Sequence, residues 1–278
     1  MSIATINGIS IGFDDAGAGE NTLLLVHGHP FNRSMWRPQL DAVRDSGWRV
    51  IIPDLRGYGE TTVVPGRTTL DVFAADLAGL LDHLGIDSVV IGGLSMGGQI
   101  VMEFARQYPQ RVRGMLLAAT FPHAETDEGK RTRNAMADRL LREGMNYYSD
   151  EVLPKMLAPR SIAALPAVAS HVSAMMRATN PEGAAAAVRG RAERPSYEDT
   201  LASVRVPAIV VVGSDDAFTT RQDAEKMRDL LRNSELIWIE GVGHMPNLEE
   251  PAAFNAALTR FLARVESATT RSPEKSPR

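Results

Sequence analysis

Residues 88–108 read SVVIGGLSMGGQIVMEFARQY, and the strand, turn and helix that they predict set the architecture of the whole chain. An apolar strand, Ser88–Ile91, runs into a glycine-rich turn, and a segment with helical periodicity follows from Gly97 to Tyr108. The turn holds Gly93-Leu94-Ser95-Met96-Gly97, which has the spacing G-x-S-x-G. This spacing places a serine hydroxyl on a sharp strand-to-helix turn, at a helix N-terminus whose N–H groups favour negative charge.

The same alternation of strands and helices extends in both directions from this unit. Further strands are predicted at Ser10–Phe13, Thr22–Val26, Arg49–Pro53, Val112–Ala118, Ala208–Val212 and Leu236–Ile239. Helices are predicted at Trp36–Ser46 and Asp71–Leu84, near Arg221–Leu231, and around Pro251–Ala263. Strands that alternate with helices of this length indicate parallel βαβ units. The fold class is therefore α/β, with a mostly parallel sheet flanked by helices.

One long segment breaks this alternation. From about residue 121 to residue 194 the pattern is helical, with no convincing strand, and Ala, Arg and Met dominate. We therefore expect one α/β core domain formed by residues 1–120 and 195–265, with residues 121–194 forming a helical cap. The remaining tail, residues 266–278, is rich in Ser, Thr, Arg and Pro, and we expect it to be disordered.

The composition excludes several classes of protein. Hydrophobic residues make up 44% of the chain and charged residues 23%, which is ordinary for a soluble globular protein. The formal net charge of −4 argues against nucleic acid as a partner. No apolar run approaches the roughly 18 residues of a membrane helix, and no secretory signal is visible. Zero cysteines exclude disulfides and thiolate chemistry. A cytoplasmic protein without membrane partners is expected, as a monomer or a homodimer.

A serine nucleophile needs a base, and the base needs a carboxylate to orient it. His244 lies in a loop just after a strand, at the edge of a parallel sheet where active sites gather. Asp215 and Asp216 both follow the strand Ala208–Val212, so either could orient the histidine. The chain order of serine, aspartate and histidine is one that known catalytic triads adopt.

Acyl transfer also needs backbone N–H donors for the oxyanion. Met96, directly after the serine, supplies one such donor. The second is expected from the loop after Thr22–Val26, where Pro30 has no N–H, so that either His29 or Phe31 must supply it. The sequence shows no metal-ligand spacing and no phosphate-binding glycine loop. We therefore expect no metal and no cofactor.

Five motifs together resemble the α/β-hydrolase superfamily. They are His27-Gly28-His29-Pro30, the segment Asp54–Gly59, the segment Gly92–Gly98, Gly213-Ser214-Asp215-Asp216, and the segment Gly243–Glu249. The resemblance runs from about residue 10 to residue 263 and points to serine esterases and lactonases, such as 3-oxoadipate enol-lactonases and esterases that hydrolyse acyl-homoserine lactones. It implies an eight-stranded sheet with one antiparallel strand near the start.

The same resemblance implies roles for individual residues. In relatives the acid stands three residues after the glycine that ends its strand, which favours Asp216. Relatives of the H-G-x-P type use the x position, here His29, as the second oxyanion donor, and they commonly carry a cis bond before the proline. Epoxide hydrolases and haloalkane dehalogenases have aspartate as the nucleophile on this strand-to-helix turn, so Ser95 argues against both of those activities.

The substrate pocket is expected between the triad and the cap. Residues near the catalytic groups are its expected lining: Phe31, Trp36, His123, Phe218 and Met245. The cap's methionines suit an adaptable apolar wall, although amphipathic spacing means that most of them pack between cap helices. The cap's arginines, including Arg131, Arg133, Arg139 and Arg142, are expected on solvated faces rather than in a carboxylate-binding cluster.

These features predict a cofactor-free serine hydrolase for small carboxylic esters or lactones. An enol-lactone diacid would need a positive group in the pocket, whereas an acyl-homoserine lactone would need an apolar channel. The Met- and Ala-rich cap favours the apolar channel. Two alternatives remain: a perhydrolase or haloperoxidase-like enzyme that uses the same triad, and a non-catalytic receptor for a small molecule on this fold.

Overall fold

The computed structural model describes residues 1–270 and contains one eight-stranded sheet. Its strands are β1 (Ser2–Ile6), β2 (Ile9–Ala16), β3 (Asn21–Val26), β4 (Trp48–Pro53), β5 (Val89–Leu94), β6 (Val112–Ala118), β7 (Ala208–Gly213) and β8 (Ser234–Ile239). They lie in the order β1-β2-β4-β3-β5-β6-β7-β8. Strand β2 runs antiparallel to both of its neighbours, and all other adjacent pairs are parallel. The predicted sheet is confirmed.

Twelve α-helices complete the part of the chain that the structure describes. They are α1 (Arg37–Val43), α2 (Leu70–His83), α3 (Met96–Gln107), α4 (Asp127–Glu143), α5 (Met145–Met156), α6 (Pro159–Ala164), α7 (Pro166–Ala178), α8 (Pro181–Arg191), α9 (Glu198–Ser203), α10 (Arg221–Leu230), α11 (Pro246–Glu249) and α12 (Pro251–Thr270). Within residues 1–270, no helix is both long enough and apolar enough to cross a bilayer.

The core lies on both faces of the sheet because side chains alternate along each strand. In β3, Leu23 and Leu25 join the apolar cluster that includes residues of α1 and α12, whereas Leu24 and Val26 join the cluster with α2 and α3. All four of these side chains are fully buried. The carboxyl ends of the parallel strands therefore meet at one edge, between two layers of helices.

Strand β1 was not predicted from the sequence. It pairs with β2 through the turn Asn7-Gly8, where both residues have positive φ angles of 49° and 78°. An Asn-Gly pair between two apolar segments is a strong signal for a two-residue hairpin. The signal was therefore present in the chain, but it lies at the edge of the sheet, where Ile3 is exposed and the alternation is short.

The helices α4 to α8 occupy the segment that we assigned to the cap, between β6 and β7. The assignment of residues 266–278 to a disordered tail is wrong for its first part, because α12 continues to Thr270. Val265 is buried against the core near that end, and an existing helix adds further residues at little cost. Residues 271–278 lie outside the described part of the chain.

Candidate active site

Ser95 occupies the turn between β5 and α3 in a backbone conformation that non-glycine residues rarely adopt. Its φ is +57° and its ψ is −116°, and such strain is kept only where the surroundings enforce it. The Ser95 N–H donates to the Ala118 carbonyl at 2.9 Å, and the Thr120 hydroxyl donates to the Ser95 carbonyl at 2.8 Å. A Cβ at Gly93 would overlap the backbone of Gly97 across the turn, and a Cβ at Gly97 would overlap the Val26 carbonyl oxygen, so both flanking positions require glycine.

His244 and Asp216 form a buried hydrogen-bonded pair. The His244 Nδ1 atom lies 2.9 Å from Asp216 Oδ1 and 3.0 Å from Oδ2, and the Asp216 side chain is 0% exposed. The N–H groups of Phe218 and Thr219 also donate to Asp216 Oδ1, at 2.8 and 3.2 Å. Burial by itself would raise the pKa of Asp216, but the His244 ring and these two donors outweigh it and lower that pKa. The carboxylate is thus held in its charged form.

The structure distinguishes Asp215 from Asp216, either of which could orient the histidine as far as the sequence pattern showed. Asp215 is exposed, and its carboxylate accepts from the hydroxyl of Ser214 at 2.8 Å. Asp216, the next residue, points inward to His244. The geometry therefore agrees with the choice of Asp216 that the family resemblance implied.

Ser95 and His244 line one cavity of about 640 Å³ that lies under the cap. The His29 side chain also lines it, as expected for a pocket wall. The His29 Nδ1 atom and the Tyr58 hydroxyl are 2.7 Å apart. Burial, then the charges of Arg191 and Arg133, lower the pKa of His29 well below its ordinary value, so its ring is neutral. His29 therefore contributes no charge to the cavity.

The backbone around Ser95 offers the two predicted oxyanion donors. Met96 begins α3, so its N–H has no acceptor within the helix. The Phe31 N–H is engaged, because it donates to the Gly28 carbonyl at 3.0 Å. A Cβ at Gly28 would lie 2.9 Å from the Leu94 carbonyl oxygen, so this loop packs directly against the serine turn. His29 remains the candidate for the second donor, and the bond before Pro30 is cis, as predicted.

His27 has a structural role, although it lies two residues from His29. Its Nδ1 atom donates to the Gly28 carbonyl at 2.9 Å, and its Nε2 atom accepts from the Leu55 N–H at 2.9 Å. Burial lowers the pKa of His27. Both ring nitrogens are therefore used in holding the loop that carries His29.

Only one of the five predicted pocket residues lines the cavity. Phe218 does so, and its ring lies 4.7 Å from the His244 ring. Phe31, Trp36 and Met245 are absent from the lining because their side chains point into the core, where each is 0% exposed. His123 is absent because its side chain is 48% exposed, stacked on Phe121 and 3.5 Å from Asp223.

Several polar residues in the cavity wall were missed as site residues, and three of them matter most for its chemistry. They are Arg133 on α4, Tyr148 on α5 and Arg191 on α8. Arg133 was expected on a solvated face, but its side chain is 23% exposed and contacts Glu125. Of the cap methionines, Met136 and Met156 line the cavity, whereas Met145, Met175 and Met176 pack in the core cluster. In residues 1–270, no group of three or more His, Asp or Glu side chains could hold a metal ion.

Comparison with known proteins agrees with the fold. A family model described as "Alpha/beta hydrolase family" matches residues 23–257. The chain is similar to the structure of a thermophilic esterase from Thermogutta terrifontis, with a TM-score of 0.91 and 37% identity over 95% of this chain and 98% of that one.

Two curated relatives differ in their named activities. The chain is 28% identical to 3-oxoadipate enol-lactonase 2 of Acinetobacter baylyi, over 84% of this chain and 85% of that protein. It is 29% identical to a non-heme chloroperoxidase of Kitasatospora aureofaciens, over 93% of this chain and 98% of that protein. Similarity at this level leaves the substrate open.

Proposed function

This chain belongs to the alpha/beta hydrolase family, and from that premise we propose that it is a cofactor-free serine hydrolase that cleaves small carboxylic esters or lactones through an acyl-enzyme. One observation carries the proposal. The strained Ser95 lines the same cavity as His244, which is hydrogen-bonded to the buried Asp216 carboxylate. The similarity to a named esterase and a named enol-lactonase supports the substrate class.

In the first half of the proposed reaction, the Ser95 hydroxyl attacks the substrate carbonyl. His244 takes the hydroxyl proton on Nε2, while Asp216 holds Nδ1–H and stabilises the imidazolium that forms. The N–H groups of Met96 and His29 donate to the oxyanion of the tetrahedral intermediate. His244 then returns the proton to the leaving alkoxide oxygen, and the acyl group remains on Ser95.

In the second half, water replaces the alcohol. His244 takes a proton from this water, whose oxygen attacks the acyl carbon, and the second tetrahedral intermediate forms in the same oxyanion site. When it collapses, the bond to Ser95 breaks and the proton returns to the serine oxygen. The net reaction consumes one water and yields an acid and an alcohol, or a hydroxy acid when the substrate is a lactone.

The test is acid release in a pH-stat from short-chain esters, aromatic esters, enol-lactones and acyl-homoserine lactones. We expect Ser95→Ala to lower kcat by at least about 10⁴-fold, because the covalent step has no other nucleophile. Ser203→Ala removes an exposed serine on α9 and serves as the matched control. Hydrolysis that persists in Ser95→Ala would overturn the mechanism. A folded wild type that hydrolyses nothing would favour the receptor alternative.

A perhydrolase remains the second candidate, because one relative is named a chloroperoxidase. The acyl-enzyme would be the same, but hydrogen peroxide rather than water would attack it and release a peracid. Esterase assays with and without peroxide separate the two reactions. Peracid that forms faster than acid at equal concentrations of ester would support the second candidate.

A further inference from the structure

The cap side of the cavity holds an arginine, Arg191, that no described carboxylate contacts. Arg133 and Arg194 both donate to one carboxylate oxygen of Glu125, the latter from Nη1 at 2.7 Å. Arg191 lines the cavity together with Arg133, and its backbone carbonyl accepts from Arg194 Nη1 at 3.5 Å. No carboxylate of residues 1–270 lies within 4.0 Å of the Arg191 guanidinium. Arg133 and Arg194 therefore share the Glu125 carboxylate, and Arg191 has no carboxylate partner among the described residues.

Arg191 is anchored in a way that leaves its charge available to a ligand. Its Nε donates to the Gln99 Oε1 at 3.0 Å, and Gln99 lies one helical turn after Ser95 on α3. Neither Nη amino group has an acceptor among the described residues. Burial, then the charges of Arg133 and Arg194, lower the pKa of Arg191 well below its ordinary value. A guanidinium nevertheless stays protonated near neutral pH, so the positive charge persists.

Tyr148 supplies a second donor without a partner in the same wall. Its side chain is 8% exposed and lines the cavity, and its ring lies 5.8 Å from that of His29. No described residue forms a hydrogen bond with its hydroxyl. Burial raises the pKa of Tyr148 to about 12, so the hydroxyl is protonated and can donate. The hydroxyl therefore faces the cavity as a donor that a polar ligand could use.

The acidic residues at the cavity opening do not neutralise Arg191. The two acidic residues there, Glu128 and Glu151, line the cavity but are exposed. Lys155, which is basic, is also exposed. Glu151 accepts from Arg139 at 2.8 Å, so its charge is already paired. Charges in contact with water are screened more strongly than the charge of Arg191, which is half-buried in the cavity wall.

We propose that this cavity selects substrates whose acyl or lactone part carries a free carboxylate, which Arg191 binds with Arg133 and Tyr148 beside it. The planar fork of a guanidinium matches a carboxylate in two parallel hydrogen bonds. Gln99, which holds Arg191, stands one helical turn after Ser95, and Arg191 and Ser95 line the same cavity, so we infer that a short carbon chain joins a carboxylate at Arg191 to the carbonyl at Ser95. This inference rests on the proposed hydrolase function and names its substrate class: hemiesters or lactones of short dicarboxylic acids.

The experiment compares monomethyl glutarate and monomethyl adipate with the neutral esters methyl butyrate and methyl hexanoate. In the wild type, we expect kcat/KM to be at least about 10-fold higher for the hemiesters, because hydrogen bonds to charged groups are among the strong ones. In Arg191→Gln, the ratio of hemiester to neutral-ester kcat/KM should fall about 10- to 100-fold, mainly through KM. Arg189→Gln is the matched control, since Arg189 is on the same helix, pairs with Asp138 and does not line the cavity.

Binding is measured separately from turnover, by calorimetric titration of glutarate into the wild type and Arg191→Gln, with circular dichroism to confirm folding. Glutarate should bind the wild type and lose about 10-fold or more in affinity in Arg191→Gln. The subsite would be overturned if the wild type hydrolysed neutral esters or neutral acyl-homoserine lactones with a kcat/KM equal to that for the hemiesters. It would also be overturned if Arg191→Gln bound glutarate as tightly as the wild type. A wild type that binds glutarate but hydrolyses none of these substrates would instead refute the proposed function and leave the subsite intact.

Discussion

At the residue scale, the orientation of a single carboxylate decides which aspartate can serve the histidine. The Asp216 carboxylate accepts from two backbone N–H groups and contacts His244 Nδ1, whereas Asp215 is exposed and its carboxylate accepts from the hydroxyl of Ser214. Both follow the end of β7 within three residues, so residue type and position along the chain do not distinguish them. The loop conformation after Gly213 is what turns one of them inward.

Substitution of each aspartate by asparagine tests this difference. Asp216→Asn should lower kcat by about 10³- to 10⁴-fold, because a neutral amide neither fixes the imidazole tautomer nor stabilises the imidazolium. Asp215→Asn should leave kcat within about threefold of the wild type. Steady-state kinetics on one ester give both values. A larger loss in Asp215→Asn than in Asp216→Asn would reverse the assignment.

At the scale of single elements, helix α8 packs closely against the core at two glycines. A Cβ at Gly183 would overlap the backbone of Gly57, and a Cβ at Gly190 would overlap the carbonyl of Thr68. The two glycines stand seven residues apart, about two helical turns, and so lie on one face of the helix. The adjacent position, Arg191, is thereby turned towards the cavity. The sequence predicts helices in residues 121–194 but does not indicate which side of α8 faces Ser95.

Gly190→Ala should disrupt the packing of α8 against the core and so destabilise the protein. The added methyl group meets a backbone carbonyl that cannot move aside, and such overpacking costs about 2 kcal/mol or more of unfolding free energy. Urea unfolding followed by circular dichroism measures the loss. Gly85→Ala is the control: its φ is +65° but nothing lies within 4 Å, so only backbone strain of about 1 kcal/mol is expected. Equal losses in both variants would contradict close packing at Gly190.

At the scale of the whole molecule, one buried side chain joins the cap to the loop of the catalytic histidine. Glu249 accepts from the N–H groups of Gly243 at 3.1 Å and Met245 at 3.2 Å, on either side of His244. It also accepts from Ala158 N–H at 2.8 Å, just after cap helix α5. The His244 N–H in turn donates to the Met156 carbonyl at 3.1 Å. The end of α5 and the histidine loop are therefore fixed to each other.

Glu249→Gln should lower kcat by about 10-fold or more with a smaller change in KM. The amide can accept with only one of its two groups, so at least one buried N–H loses its partner and the histidine loop shifts. Ester kinetics and urea unfolding measure the two effects, and the exposed Glu250→Gln is the matched control. A variant that alters KM alone would show that Glu249 does not position His244.

The sequence by itself determined the features that depend on near neighbours in the chain. The alternation of strands and helices, the serine turn at Ser95 and the loop of His244 follow from local patterns of apolar residues and glycines. These patterns act over a few residues, so they can be recognised without knowing what packs against them. Seven of the eight strands, the candidate nucleophile and the candidate base were predictable for this reason.

Only the tertiary structure decided which side chains complete the cavity. Phe31, Trp36 and Met245 are near the catalytic groups in the chain but point into the core, whereas Arg133, Tyr148 and Arg191 come from three separate cap helices and converge on the cavity. The rotation of a cap helix about its own axis is set by contacts with distant residues, such as Gly190 with Thr68. A local pattern carries no information about such contacts, and they determine the charge that the substrate meets.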